Sequence, residues 1–213
     1  MMFDEYCKEA GIFLRNVKSY NDYSLSNATQ YSCYRDKQNQ FADSNRFEFV
    51  GEFGWAIPCD EAIEAIKNLN MPILSVGSGR AYWEFCLQRA GVDITATDPV
   101  IGVGQYSAKP PKTWMPVLQK DAINAVSGDM SNIALMMVWA SYNSDWSGKC
   151  LKKYIKNGGR ILIWVGEGHW GCTGDSLCHE IIENNMKQLM RVDIPQWDGL
   201  HDRLIIYEVN DGQ

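Results

Sequence analysis

One stretch constrains this chain more than any other. Ile73-Leu74-Ser75-Val76 is a short apolar run that enters Gly77-Ser78-Gly79, and a helix-compatible segment, Ala81 to Ala90, leaves it. Gly91 ends that segment, and Ile94 to Asp98 follows as a second β-type run that closes on a carboxylate. The order is strand, glycine turn, helix, strand, acid. It turns backbone N–H groups and a helix N-terminus toward one point and sets an acid beside them. A chain built around such a unit belongs in an α/β class with parallel strands.

The remainder alternates in the same way. Ala62, Ile63, Ile66 and Leu69 form an apolar face at helical spacing before the glycine turn, and Asp60 reads as the N-cap of that helix. Further strands are expected over Met115–Gln119, Ile133–Val138 and Arg160–Val165, and helices over Ala122–Val126, Trp146–Lys156 and Ser176–Leu189. Lys149, Lys152, Lys153 and Lys156 fall on one face of the Trp146–Lys156 helix and read as solvated. Arg191–Ile194 and Arg203–Val209 are separated only by the loop Pro195–Asp202, too short for a helical crossover, so they should pair antiparallel. The expected fold is a Rossmann-like three-layer sandwich: a mostly parallel sheet of the seven-stranded type that ends in an antiparallel hairpin.

Residues 1–54 have a different texture, with six of the seven Phe, five of the ten Tyr and none of the eight Trp. They are expected to form an N-terminal helical and loop extension, with Asp4–Val17 as its helix, packed as a cover or lid on a main domain of residues 55–213.

The net charge of −6 argues against duplex nucleic acid as a partner, because such proteins carry a basic footprint. The longest apolar run, Ile133 to Ala140, falls short of the ~20 residues of a membrane span. Met1-Met2-Phe3-Asp4-Glu5 is acidic and lacks the apolar core of a signal peptide. The seven cysteines are odd in number and scattered. Together these suit free thiols in a reducing, cytoplasmic setting. His169, Cys172, Cys178 and His179 contain no C-x2-4-C pair, and no metal is expected.

Two ligand classes use a glycine-rich first βα turn. The dinucleotide fingerprint G-x-G-x-x-G needs a small residue at its sixth position, which here is Tyr82. The alternative is the G-x-G-x-G turn of S-adenosylmethionine (SAM) sites, with an acid about twenty residues on. Gly77, Ser78 and Gly79 supply it, Ala81 occupies the fifth position, and Asp98 lies 21 residues after Gly77. Asp121-Ala122, after the third strand, adds an acid where an adenine amino group could be read.

The order of elements resembles the class I SAM-dependent methyltransferases. More narrowly, the chain looks like a poorly characterised group of methyltransferase-like proteins. That group carries Trp-Ala-Ile-Pro before the glycine turn, Trp-Pro-Pro-Tyr after the fourth strand and Gly-Glu-Gly-x-Gly-Gly-Cys-Thr-Gly-Asp after the fifth. Here these are Trp55-Ala56-Ile57-Pro58, Trp139-Ala140-Ser141-Tyr142 and Gly166 to Asp175, with Trp170 in place of a glycine. The likeness runs from Trp55 to Val209. It implies a SAM site of Gly77, Ser78, Gly79, Asp98, Asp121, Ala122 and Trp139, with Trp55 to Pro58 near the methionine end. The chain departs from the pattern at Ser75, where methyltransferase turns usually carry an acid, at Ala81, and at Ala140-Ser141.

Methyl transfer needs the acceptor positioned in line with the methyl group, with a base only where the acceptor is protonated. Tyr142 and Glu167 follow the fourth and fifth strands, at the edge where α/β ligands bind. Tyr142 is the candidate for acceptor positioning, against a core aromatic. Glu167 is the candidate base or acceptor-amine ligand, against a carboxylate that caps its own turn. The function expected is methyl transfer from SAM to a small molecule or a protein side chain. The alternatives are a SAM-binding protein without transfer activity and an enzyme that cleaves SAM.

Overall fold

The computed structural model describes residues 49–103, 111–142, 144–197 and 200–210. The helix expected over Asp4–Val17 and nearly all of the N-terminal extension lie outside these residues. A helical segment covers 49–53. The elements that follow are α1 (Asp60–Lys67), β1 (Ile73–Val76), α2 (Tyr82–Arg89), β2 (Ile94–Asp98), β3 (Val117–Gln119), α3 (Ala122–Ala125), β4 (Ala134–Val138), α4 (Trp146–Lys156), β5 (Ile161–Gly166), α5 (Ser176–Asn185), β6 (Met186–Asp193) and β7 (Arg203–Val209).

The seven strands form one sheet in the order β3-β2-β1-β4-β5-β7-β6. β1, β2, β3, β4 and β5 run parallel, and β7 pairs antiparallel with both β5 and β6. This is the expected sheet with its terminal hairpin. The chain reverses direction across the sheet between β1 and β4, and ligands bind beyond the carboxyl ends of strands at such a switch point.

Strand periodicity of two assigns alternate residues to opposite faces. Ile73, Ala134, Met136, Ile163 and Val165 face α1 and α2, where Ala62, Ile66, Trp83 and Leu87 meet them. Leu74, Val76, Leu135, Met137, Leu162 and Trp164 face α3, α4 and α5, against Ala122, Cys150, Leu151, Tyr154, Cys178 and Ile182. The central strands are buried on both sides, which explains why they read as unbroken apolar runs. A third cluster joins Phe49 and Phe53 to Ile57, Tyr82 and Trp197.

Three local expectations are corrected. Asp60 is the first residue of α1; the N-cap is Cys59, with no side-chain cap bond. Asp60 and Glu61 instead place negative charge in the first turn, which suits the helix dipole. The helix expected to reach Leu189 stops at Asn185, and Met186 to Met190 opens β6. Met, Lys, Gln and Leu are good helix formers, but pairing Met186 with Val209 and Lys187 with Glu208 overrides their intrinsic preference. The last strand pair is therefore longer than Arg191–Ile194 suggests. On α4, Lys149, Lys152 and Lys156 are exposed as expected, but Lys153 Nζ donates to the Ile123 carbonyl at 2.6 Å and so leaves the solvated stripe.

Candidate functional site

The turn after β1 has left-handed backbone at Gly77 (φ 69°) and Gly79 (φ 53°), which glycine adopts at little cost. Ala81 follows with φ 59°, so the position where the turn pattern has its third glycine demands glycine-like backbone here too. The three reversals swing the chain from β1 into α2 and leave the turn open. Nothing stands within 4 Å of a Cβ built on Gly79, whereas one on Gly77 would meet Trp146 Cη2 at 3.1 Å. Asp98, at the tip of β2, accepts from Gly79 N at 2.9 Å with Oδ2 and from Val100 N at 2.8 Å with Oδ1. The acid thereby locks the glycine turn to the end of the neighbouring strand.

Asp121 is the N-cap of α3. Its Oδ1 accepts from Asn124 N at 2.9 Å and its Oδ2 from the Asn124 side chain at 2.6 Å. These bonds, the backbone N–H first, hold the carboxyl below its ordinary range.

Beyond the carboxyl ends of the strands lies a cavity of about 490 Å³. It is lined by Gly77, Ser78, Gly79, Asp98, Asp121, Ala122, Trp55 and Trp139, all of them residues expected for a ligand site. Trp146 and Glu84 also line it. Trp55 and Trp139 stack with ring centres 5.5 Å apart and planes at 12°. Trp139 does so from a left-handed backbone (φ 52°), a conformation that costs a bulky residue ~1–3 kcal/mol and clusters at functional sites.

The wall from 52 to 56 is held by three indoles. Trp114 Nε1 donates to the Glu52 carbonyl at 2.9 Å, Trp197 Nε1 to the Trp55 carbonyl at 3.0 Å, and Trp83 Nε1 to the Ala56 carbonyl at 3.0 Å. These tryptophans come from the approach to β3, the β6–β7 loop and α2. The segment before the glycine turn is thus fixed from three directions, and residues 50 and 53–56 form part of the cavity wall.

Pro58, Tyr142 and Glu167 do not line the cavity. Pro58 is buried beneath the wall. Tyr142 is 57% exposed, so it is no core aromatic. Glu167 is 7% exposed and serves the two loops beside it. Its Oε2 accepts from Cys172 N and its Oε1 from His201 N, each at 2.7 Å. Burial opposes its ionisation, but these bonds and the nearby His201 ring outweigh that and hold the carboxyl below its ordinary range. A Cβ on Gly171 would stand 2.3 Å from that of Glu167, so the turn wraps closely around the side chain.

At the altered turn after β4, Ala140 is buried and Ser141 lines the cavity. Ser141 Oγ accepts from Trp146 Nε1 at 2.9 Å, and Ser141 bridges to Thr173. The serine fixes the indole that covers Gly77.

Glu84 escaped the sequence reading. It is 2% exposed, on the first turn of α2, and its Oε1 accepts from Ser75 Oγ at 2.5 Å. The available signal was a pair of misfits: a hydroxyl inside the buried strand Ile73–Val76 and an acid within the apolar run Tyr82–Leu87.

Among the described residues no group of three or more His, Cys, Asp and Glu side chains could hold a metal ion, and no helix is long and apolar enough to cross a membrane. His179 Nε2 lies 2.7 Å from the Thr173 carbonyl, and His169 Nδ1 lies 3.0 Å from Glu183 Oε1.

No family model matches the chain, and no curated protein matches it. Solved structures do. Magnesium protoporphyrin IX methyltransferase from Synechocystis PCC 6803, with bound SAM, is 13% identical over 89% of this chain and 94% of that one, with a TM-score of 0.51. The fold is the Rossmann-like methyltransferase fold. The 1,6-didemethyltoxoflavin-N1-methyltransferase of Burkholderia thailandensis, with bound S-adenosylhomocysteine, is 14% identical over 93% of this chain and 94% of that one, with a TM-score of 0.46.

Proposed function

We propose that the chain is a SAM-dependent methyltransferase acting on a small molecule or a protein side chain. One observation carries the reading. The Gly77–Gly79 turn, locked by Asp98 to the end of β2, opens on a 490 Å³ cavity at the sheet's switch point. The residues fit SAM. Gly79 leaves space for close approach of a ligand to backbone, and Asp98 offers carboxylate oxygens to a ribose diol. Asp121 and Ala122 flank the place of the adenine, and the faces of Trp55, Trp139 and Trp146 suit a cationic sulfonium. SAM supplies an electrophilic methyl group. The chain's work is to orient it, exclude water and seat the acceptor. Val50, Phe53 and Val103 add apolar lining for the acceptor.

A second reading has its own observation. Glu167 is committed to backbone N–H groups, Ser141 Oγ to an indole, and Tyr142 is not among the lining residues. The loops after β4 and β5 thus bring neither a free carboxylate nor Tyr142 into the cavity, which suits a SAM-binding protein without transfer activity. Incubating the protein with SAM and a cell extract separates the readings. S-adenosylhomocysteine is the product expected of a methyltransferase. Calorimetric binding of SAM without turnover supports the second reading, and release of 5′-methylthioadenosine would indicate cleavage. Failure to bind SAM overturns all three.

A further inference from the structure

Among the described residues three carboxyls line the cavity, and two of them also brace turns of the chain. Asp98 accepts from two backbone N–H groups and Asp121 from one N–H and a side-chain amide. Glu84 differs. Its bond comes from a hydroxyl, Ser75 Oγ, at 2.5 Å. A hydroxyl can donate to a carboxylate or accept from a carboxylic acid, so this contact serves either protonation state. The hydroxyls continue outward: Ser78 Oγ donates to Ser75 Oγ at 3.2 Å and accepts from Thr97 N at 3.2 Å.

The sheet order fixes the place of Glu84 along the cavity. Asp121 follows β3, Asp98 ends β2, Glu84 is bound to β1, and Trp139 follows β4, and these strands are neighbours in that sequence. A ligand with its base at Asp121 and its ribose at Asp98 therefore carries its remaining part across β1 toward β4. That part meets Glu84, Trp55 and Trp139.

We propose that Glu84 is the counter-charge for the cationic amino-acid end of the ligand, and that it gives up a proton to solvent when that end arrives. The inference rests on the SAM reading above. The step balances simply: the carboxyl O–H bond breaks, the proton passes to buffer, and the carboxylate pairs with the ligand's ammonium. In the absence of a cation the acid is kept protonated to about pH 7, chiefly by burial, with Asp98 adding repulsion and the Ser75 and Ser78 hydroxyls working the other way. Around it stand Arg80 and Asp121 on the cavity wall and Cys86 on its own helix, with Arg89 and, from α1, Asp60 acting on that thiol.

The test is calorimetry with two probes, SAM and 5′-methylthioadenosine, which shares the nucleoside but lacks the amino-acid end. For the unaltered protein, SAM affinity should rise about fivefold from pH 6 to pH 7, given titration near 7, before the ligand's own α-amino group loses its proton. Buffers of different ionisation enthalpy should show proton release. Methylthioadenosine should show neither. Glu84→Gln should weaken SAM about 30-fold or more at pH 8, abolish its pH dependence and leave methylthioadenosine binding unchanged. Ser75→Ala keeps the carboxyl and removes the hydroxyl, so it should move the midpoint of the SAM profile to higher pH, which a purely structural role would not do. Normal SAM affinity in Glu84→Gln, with the same pH profile, overturns this inference alone. If the unaltered protein binds neither probe, the SAM reading fails and takes the inference with it.

Discussion

The Trp146 ring closes over Gly77, its Cη2 3.1 Å from where a Cβ on that glycine would stand. The same indole is tethered by its Nε1 to Ser141 Oγ. Gly77→Ala must therefore strain a left-handed residue and displace a fixed ring. We expect a loss of ~1–3 kcal/mol in stability by urea titration and no measurable SAM binding by calorimetry.

Asp98 joins the tip of β2 to the glycine turn through Gly79 N. Asp98→Ala should abolish SAM binding while the sheet still folds, since the carboxylate sits on the rim of the core. Far-ultraviolet circular dichroism would check the fold, and a normal SAM isotherm for this variant would place the ligand elsewhere.

The Trp55–Trp139 stack makes a third, separable prediction. Trp55→Ala removes one aromatic face, leaving Trp139 in its strained backbone without a partner ring. SAM affinity should fall by roughly tenfold, consistent with ~1–2 kcal/mol for a desolvated cation over an aromatic face. Quenching of tryptophan fluorescence by SAM should shrink in parallel.

Glu167 and Asp202 act with opposite sign on stability. The Asp202 carboxyl is 1% exposed, and among the described residues neither oxygen has a hydrogen-bond partner. Burial, with repulsion from Glu167, pushes it from 3.8 to about 8. The folded state then holds a proton that the unfolded chain loses near pH 4, so stability falls as pH rises between about 4 and 8. Asp202→Asn should raise the melting temperature at pH 8 and matter little at pH 4, by thermal melts at both. Glu167 is depressed from 4.5. Its contribution is present above that value and lost as pH falls through the folded value. Glu167→Gln should cost ~1 kcal/mol at pH 7, by urea titration, because two part-buried N–H groups lose a charged acceptor.

The strands and most helices were legible because they obey one period each, and the central strands are buried on both faces. β6 was not. Met186 to Met190 is a helix former by composition, and only its partner strand, β7, makes it extended. Of the cavity, the residues on the glycine turn and at strand ends were readable, because spacing along the chain reports them. Glu84 was not, because its role depends on meeting Ser75 across nine residues of turn and helix. Glu167 shows the converse. It sits at a strand end, the place where a reactive acid was sought, yet the chain folds back so that Cys172 and His201 consume its oxygens.

The bond from Trp197 Nε1 to the Trp55 carbonyl spans 142 positions. Trp55 is made well before Trp197. While the chain is still growing on the ribosome, the glycine turn and the first strands can form, but this wall of the cavity has no anchor from the last hairpin. Competence to hold a ligand is therefore completed only once residue 197 has been made, and a chain cut short before it would lack this anchor of the cavity wall.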